Sequence, residues 1–359
     1  MKVATVFGTR PEWVKLSPLI PRLDRAFHHV TIHTAQHYDP ALDRVIQRDL
    51  GLARPRHRLA RGGSGFSSQL GNMLSGLERL LRRERPDVVL VQGDTNSSLA
   101  GALAGARLGI SVAHVEAGCR SGNLAAPEEQ NRRLIDGIAS LFFAADATAL
   151  ANLRREGHEK AKLVGSTGVD AVLRSSRFCR DEFLRSHGVA ADAFALATLH
   201  RAENTESRAA LLRRLAAIAH AAKGGAVLLA VHPRTAGAIE RFGVKLPPGL
   251  RVTRPLGYLE FLSLLRRCRF VLSDSGGVQE EAAVLRRTCL VLRDETEWTR
   301  LVTAGRNFLL PDFGAREKSL VDRLWRDDVF LAKTRRRPAP GLRAGAAEKI
   351  VRALRAWKP

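Results

Sequence analysis

Residues 88–118 read VVLVQGDTNSSLAGALAGARLGISVAHVEAG, and this stretch decides the fold. Val88 to Val91 is apolar at four successive positions, which predicts a strand buried on both faces rather than one alternating between core and water. Residues 96–108 have helical composition, and Val112–Val115 is a second short apolar run. Strand, helix and strand in that order make a parallel crossover. Outward from it the pattern repeats. Val3–Phe7 and Val30–Thr34 read as strands, with helices near 12–25, 39–50 and 66–84. Further on, Ala193–Leu199, Ala226–Val231, Phe270–Ser273 and Cys289–Leu292 read as strands, with helices near 206–222, 258–267 and 277–285. A long final helix is predicted at about 341–357. The predicted class is α/β, with two Rossmann-like doubly wound domains facing a central cleft. The expected division is a first domain over 1–168, a second over 169–340, and a C-terminal helical segment, 341–359, packing back on the first.

At 359 residues the chain is too long for one ordinary core. Its 45% apolar and 26% charged residues are ordinary for a globular protein. The charge balance is not: 58 Lys and Arg against 36 Asp and Glu give +22. Such a surface attracts polyanions. The arginines are scattered along predicted helix faces, as in Arg82-Arg83 and Arg213-Arg214, with the densest run at Arg335-Arg336-Arg337, and they read as solvated. With two Tyr and no aromatics interleaved among basic residues, nucleic acid is not an expected partner. The four cysteines lie far apart, so no metal set is expected, and reduced thiols suit a cytoplasmic protein. Residues 1–7 are too short for a signal core, and no apolar run reaches the ~18 residues of a membrane span. A soluble chain with no integral membrane association is expected.

Five segments carry chemistry. Gly8-Thr9-Arg10-Pro11-Glu12 follows the first strand, where a helix start offers free amides to an anion and Arg10 and Lys15 add positive charge; an ordinary strand–helix turn would look similar. Asp94 ends another strand, where it could equally be a helix cap. Glu116 ends the next, and Glu128 with Glu129 opens a helix, where dipole compensation is the plain alternative. Three carboxylates, Asp94, Glu116 and Glu128, on one edge of one sheet raise one another's proton affinity and suit proton transfer. His200-Arg201-Ala202-Glu203-Asn204 follows the first strand of the second half and suits an anionic leaving group. Most specific is Asp274-Ser275-Gly276-Gly277, between a strand and a helix, whose amides approach a phosphate closely. Glu281, one turn inside, is placed to accept from ribose hydroxyls.

Together these segments, with Gln36-His37, Asn131-Arg132 and Glu203-Asn204, resemble the non-hydrolysing UDP-N-acetylglucosamine 2-epimerase family from Lys2 to about Leu310. The resemblance implies a fold shared with nucleotide-sugar glycosyltransferases, a UDP-sugar substrate, a homodimer, and no metal or nicotinamide cofactor. The implied reaction inverts C2 of a 2-acetamido sugar. The C2 proton and UDP leave, a glycal stays bound, and UDP adds back. Asp94, Glu116, Glu128 and His200 match the family's catalytic positions. Arg10, Lys15, Arg132, Ser275, Gly276, Gly277 and Glu281 match its substrate-binding positions. Gln36 and His37 match the site where bacterial members bind an activating substrate molecule. Departures exist. Trp298 stands where many members carry Arg, Ala202 replaces a basic residue, and Asp39 and Asn72 replace activator-site residues. Arg120-Ser121-Gly122-Asn123 with Thr296-Glu297-Trp298 looks more like branches acting on modified sugars such as a UDP-2,3-diacetamido-glucuronic acid. A glycosyltransferase, a hydrolysing variant or an inert nucleotide-sugar binder on the same fold are the competing readings.

Overall fold

The computed structural model describes residues 1–36, 40–63, 65–247 and 249–358, without the side chains of 40–43. It divides into one compact unit of Met1–Ala171 with Gly341–Pro359 and a second of Val172–Pro340. The first runs β1 (Lys2–Phe7), α1 (Arg10–Leu16), α2 (Ile20–Ala26), β2 (His28–His33), α3 (Pro40–Leu50), β3 (His57–Arg58), α4 (Phe66–Glu84), β4 (Val88–Gln92), α5 (Asn96–Arg107), β5 (Ser111–Ala117), α6 (Pro127–Ile138), β6 (Leu141–Ala144), α7 (Ala147–Arg155), β7 (Lys162–Leu163) and into α8 (Thr167–Ser175). The second runs α9 (Glu182–Ser186), β8 (Phe194–Thr198), α10 (Ala202–Thr205), α11 (Arg208–Gly224), β9 (Ala226–Ala230), α12 (Pro233–Arg241), β10 (Leu250–Thr253), α13 (Tyr258–Arg267), β11 (Phe270–Ser273), α14 (Gly276–Val284), β12 (Thr288–Val291), α15 (Thr299–Thr303), β13 (Asn307–Leu309), α16 (Ala315–Arg326) and α17 (Asp328–Arg336). The chain then returns to the first unit as α18 (Ala346–Ala356), which contacts α2.

Both sheets are parallel throughout. Their orders are β3-β2-β1-β4-β5-β6-β7 and β10-β9-β8-β11-β12-β13. Each order reverses once, between β1 and β4 and between β8 and β11. At such a switch point neighbouring crossovers lead to opposite faces and leave a crevice at the carboxyl ends. The apolar character of the central strands follows from burial on both sides. In the second sheet Ala197, Leu229 and Phe270 pack with Leu211 and Ile218 on one face, while Leu196, Val271 and Val291 pack with Leu264 and Ala282 on the other. Burying each such large side chain contributes roughly 1.5–3 kcal/mol.

The strands exceed the sequence expectation, seven and six rather than four and four. β3, β7 and β10 are edge pieces of two to four residues, all but Thr253 half-buried or exposed, so they lack a continuous apolar signal. β6 is fully buried but only four residues long, LFFA, a run too short to stand out as a strand. The single helix expected at 12–25 is two. Pro18 has no amide to donate to Val14, and Ser17 closes α1 on that carbonyl at 3.1 Å instead. Among the described residues no helix is long and apolar enough to cross a membrane, and no cluster of ligands could hold a metal.

Candidate active site at the sheet switch points

In the first unit the switch point is built around a buried carboxylate. Glu12, 1% exposed, accepts from the amides of Gly8 (3.0 Å) and Thr9 (2.8 Å) and from the hydroxyls of Thr95 (2.9 Å) and Ser98 (3.0 Å). Burial raises its proton affinity, and the four donors oppose that. It ties the loop after β1 to the turn after β4. Gly8 is required there for space, since a Cβ would overlap Thr34 Oγ1 and Ser97 Oγ. This corrects one sequence expectation: the Gly8 and Thr9 amides are taken by Glu12, an internal anion, and are not offered to a ligand. Gln36 has a comparable task. Its Oε1 accepts from the Ser97 amide (2.8 Å) and hydroxyl (2.7 Å) at the start of α5. His37 lies outside the described residues.

Asp94 and Glu116 stand at the carboxyl ends of β4 and β5, each paired with its own cation. Arg132 of α6 pairs with Asp94 and, at 3.0 Å, with Glu129. Burial disfavours the guanidinium charge, yet Asp94 raises its proton affinity overall. Lys15 of α1 holds Glu116 at 2.7 and 2.8 Å, and the Gln92 amide also donates to it. Glu116 has φ +68, in the left-handed region, where the β5–β6 register shifts between Val115 and Ala117. A non-glycine residue held there costs about 1–3 kcal/mol, a strain typical of functional positions. Asp94 and Glu116 thus each stand in an ion pair of their own. Glu128 is exposed in the first turn of α6, and no described side-chain bond joins it to Asp94 or Glu116. Its neighbour Glu129 is fully buried and anchors the loop before α6 through the Ser121 amide (2.8 Å), while Arg133, a turn along α6, bonds it at 2.9 Å.

Beneath these loops lies a pair the sequence reading missed. His114 and Asp136 are both buried and meet at 2.7 Å through Nδ1. His114 Nε2 donates to the Gly93 carbonyl at 2.9 Å, next to Asp94. Asp136 also accepts from the Gly118 amide (3.0 Å), just beyond Glu116, and from Arg120 (2.7 Å). Burial pushes the Asp136 carboxyl up, but His114 and Arg120 bring it below the ordinary carboxylate range. One dyad thus fixes both carboxylate-bearing loops. The signal was present, since His114 sits mid-strand in an apolar run and Asp136 lies inside α6, but only pairing across elements reveals it.

The second unit repeats the design. Asp274, fully buried at the end of β11, accepts from the amides of His200 (3.0 Å) and Arg201 (2.9 Å), from Asn204 (3.0 Å), and from His200 Nδ1 (2.9 Å). Burial raises its pKa, but His200, Asn204 and the Arg201 amide together outweigh that and hold it at about 2. With Nδ1 committed, the half-buried ring presents Nε2. The His232 ring lies tilted against it at 5.6 Å between centroids, and Arg234 donates to the His200 carbonyl at 3.4 Å. Both belong to His232-Pro233-Arg234, after β9, which the sequence reading passed over. Ser275 caps α14 by accepting from Val278 N at 3.4 Å. The amides of Gly276 and Gly277 make no bond within the described chain, so they are available to an anion. A Cβ at Gly276 would overlap the Glu297 carboxylate and lie 3.7 Å from the Trp298 indole nitrogen. Trp298 therefore borders the turn at Gly276. Glu281, half-buried, lies beside Tyr258, whose phenol is pushed up by burial and by Glu281. Arg120 bonds to Asp136 and Glu156, so it is not free to meet a sugar carboxylate.

The family model described as UDP-N-acetylglucosamine 2-epimerase matches residues 22–355. A UDP-N-acetylglucosamine 2-epimerase of Methanocaldococcus jannaschii is 40% identical over 99% of both chains. A UDP-2,3-diacetamido-2,3-dideoxy-D-glucuronate 2-epimerase of Pseudomonas aeruginosa is also 40% identical, over 90% of this chain and 91% of its own. The crystal structure of the Methanocaldococcus jannaschii UDP-GlcNAc 2-epimerase in complex with UDP-GlcNAc and UDP matches at TM-score 0.90 and 38% identity, covering 99% of this chain and 100% of that one. The Neisseria meningitidis UDP-GlcNAc 2-epimerase bound to UDP-GlcNAc matches at TM-score 0.86 and 28% identity, over 99% of each chain.

Proposed function

The chain belongs to the UDP-N-acetylglucosamine 2-epimerase family, and from that premise we propose that it interconverts UDP-N-acetylglucosamine and UDP-N-acetylmannosamine by eliminating and re-adding UDP. The observation that carries this reading is the pair of cation-held carboxylates, Asp94 with Arg132 and Glu116 with Lys15, at the ends of β4 and β5. C2–H is a weak acid, so its removal needs a positioned base, and return of the proton to the other face needs a second group. As the base takes the proton, the C–H electrons form the C1–C2 double bond and the C1–O bond breaks, with UDP keeping that pair. His200, oriented by Asp274, and the free amides of Gly276 and Gly277 suit the charge that develops on the departing diphosphate. Reprotonation at C2 and return of the UDP oxygen to C1 complete the inversion. Glu281 is assigned to the ribose, and Arg10 to the diphosphate. Glu128, though exposed here, keeps its place as a candidate acid. Gln36 and His37 remain candidates for an activator site.

The test is proton exchange followed by NMR in deuterium oxide across a panel of UDP-2-acetamido sugars. Deuterium should enter C2 as the second epimer appears; a panel without exchange overturns the reading. Asp94→Asn should lower exchange by roughly 100-fold or more while UDP binding stays near normal. Retained exchange would remove Asp94 from the chemistry.

A second reading is favoured by Trp298 beside Gly276, where many members carry Arg, together with the Pseudomonas aeruginosa relative. The substrate would then be a UDP-2,3-diacetamido-glucuronic acid, and the ratio of kcat/KM on the two substrates decides. We place the enzyme in the cytoplasm as a homodimer supplying cell-surface polysaccharide synthesis. A monomeric mass by light scattering at working concentration would sink the assembly claim.

A further inference from the structure

The opposite edge of the second sheet gathers chemistry that the epimerase reaction does not use. Asp192 precedes β8, Arg269 precedes β11, and Arg286 and Arg287 precede β12, so all four sit at amino ends of strands, away from Asp274. The last turn of α17 adds Arg335 and Arg336 to the same edge. Together with Asp328 they line a depression of about 660 Å³.

Five guanidiniums meet two carboxylates there, and both carboxylates are already engaged. Asp192 accepts from Arg287 (2.8 Å) and Arg335 (2.6 Å) through the same oxygen. Asp328 accepts from Arg269 at 2.5 Å. The side chains of Arg286 and Arg336 are exposed, and their guanidiniums make no hydrogen bond or ion pair within the described chain. Arg286 projects from a left-handed backbone, φ +56, as does Asp192 at φ +58, so the rim is set by the main chain. Crowding is felt in the protonation of the group. Burial, and then Arg335, lower the proton affinity of Arg287; burial and Arg286 do the same to the buried Arg306. Some surface arginines elsewhere sit one helical turn from an acid, as Arg82 does from Glu78 and Arg352 from Glu348. Like charges gathered on partly desolvated ground oppose folding, and a polyvalent anion removes that cost. A guanidinium fork matches phosphate oxygens in pairs. Two uncommitted forks and three tied ones around one hollow suit more than one phosphate group.

We infer that this depression is a binding site for a linked polyphosphate, separate from the nucleotide-sugar site. The test is calorimetric titration of the full chain with tripolyphosphate and with orthophosphate, at physiological salt and with UDP in excess to occupy the other phosphate site. Tripolyphosphate should bind with one-to-one stoichiometry and more tightly than orthophosphate. Arg286→Ala with Arg336→Ala should weaken tripolyphosphate by roughly tenfold or more and leave C2 exchange unchanged. Arg25→Ala with Arg79→Ala removes the same charge from exposed positions of the first unit and should change affinity little. No binding by the native chain overturns the site, as does an equal loss in both double variants. Equal affinity for the two anions overturns its polyvalent character.

Discussion

At the scale of single residues, the site rests on buried carboxylates that serve other groups. Asp274 carries the clearest consequence. Its folded pKa of about 2 lies below the ordinary 3.8, so its contribution to stability is fully present above about pH 4 and is lost as pH falls toward 2. The contribution is about 2 kcal/mol. Urea unfolding followed from pH 5 to pH 2 should show that loss in the native chain, and the Asp274→Asn variant should lack it. Asp136 belongs to the same kind. Removing one partner of a buried pair leaves the other uncompensated, so Asp136→Asn should destabilise by about 3 kcal/mol. Because the dyad holds the Gly93 carbonyl and the Gly118 amide, kcat for C2 inversion should fall while UDP affinity is kept. A variant with unchanged kcat would reduce the dyad to a packing role. Neither partnership is legible from residue type alone: a mid-strand His and a mid-helix Asp are each common, and only their separation of 2.7 Å gives them a task.

Among the elements, turns decide more than helices or strands do. Gly118 has φ +79, and a Cβ there would overlap the Ala149 carbonyl of α7. Gly118→Ala should cost about 1–3 kcal/mol in thermal unfolding, because backbone strain and overlap add. Gly276→Ala is a different experiment. Its φ is ordinary, and the overlap is with the end of the Glu297 side chain, which can move. The fold should survive with Tm nearly unchanged, whereas UDP affinity should drop by roughly tenfold as the methyl narrows the approach to the helix start. The central strands were plain in the sequence since burial on two faces leaves an unbroken apolar run, as in Val88–Gln92. The edge strands β3, β7 and β10 were not, because a strand paired on one side carries little apolar demand.

For the whole molecule, the division of the chain matters most. The first unit is closed by residues from the far end of the sequence. Asp170 caps α18 through the amides of Gly345 (2.6 Å) and Ala347 (2.8 Å), and the helix buries Ile350 and Leu354. A chain stopped after Pro340 should lose the first unit selectively, which limited proteolysis with mass spectrometry would show as early cuts within 1–171 and a surviving 172–340 fragment. The amino-acid sequence by itself determined the α/β class, the parallel sheets and the family, because these follow from runs and motifs that neighbouring residues carry together. It also picked out Asp94, Glu116, His200 and the Asp274–Gly277 turn, each at the end of an apolar strand. Only the tertiary structure decided which carboxylate meets which cation, that Glu12 consumes the Gly8 and Thr9 amides, and that Arg120 is spent on Asp136 and Glu156. Those outcomes depend on distances between residues far apart in the chain, where a change of a few ångströms exchanges one partner for another and no local pattern records the choice.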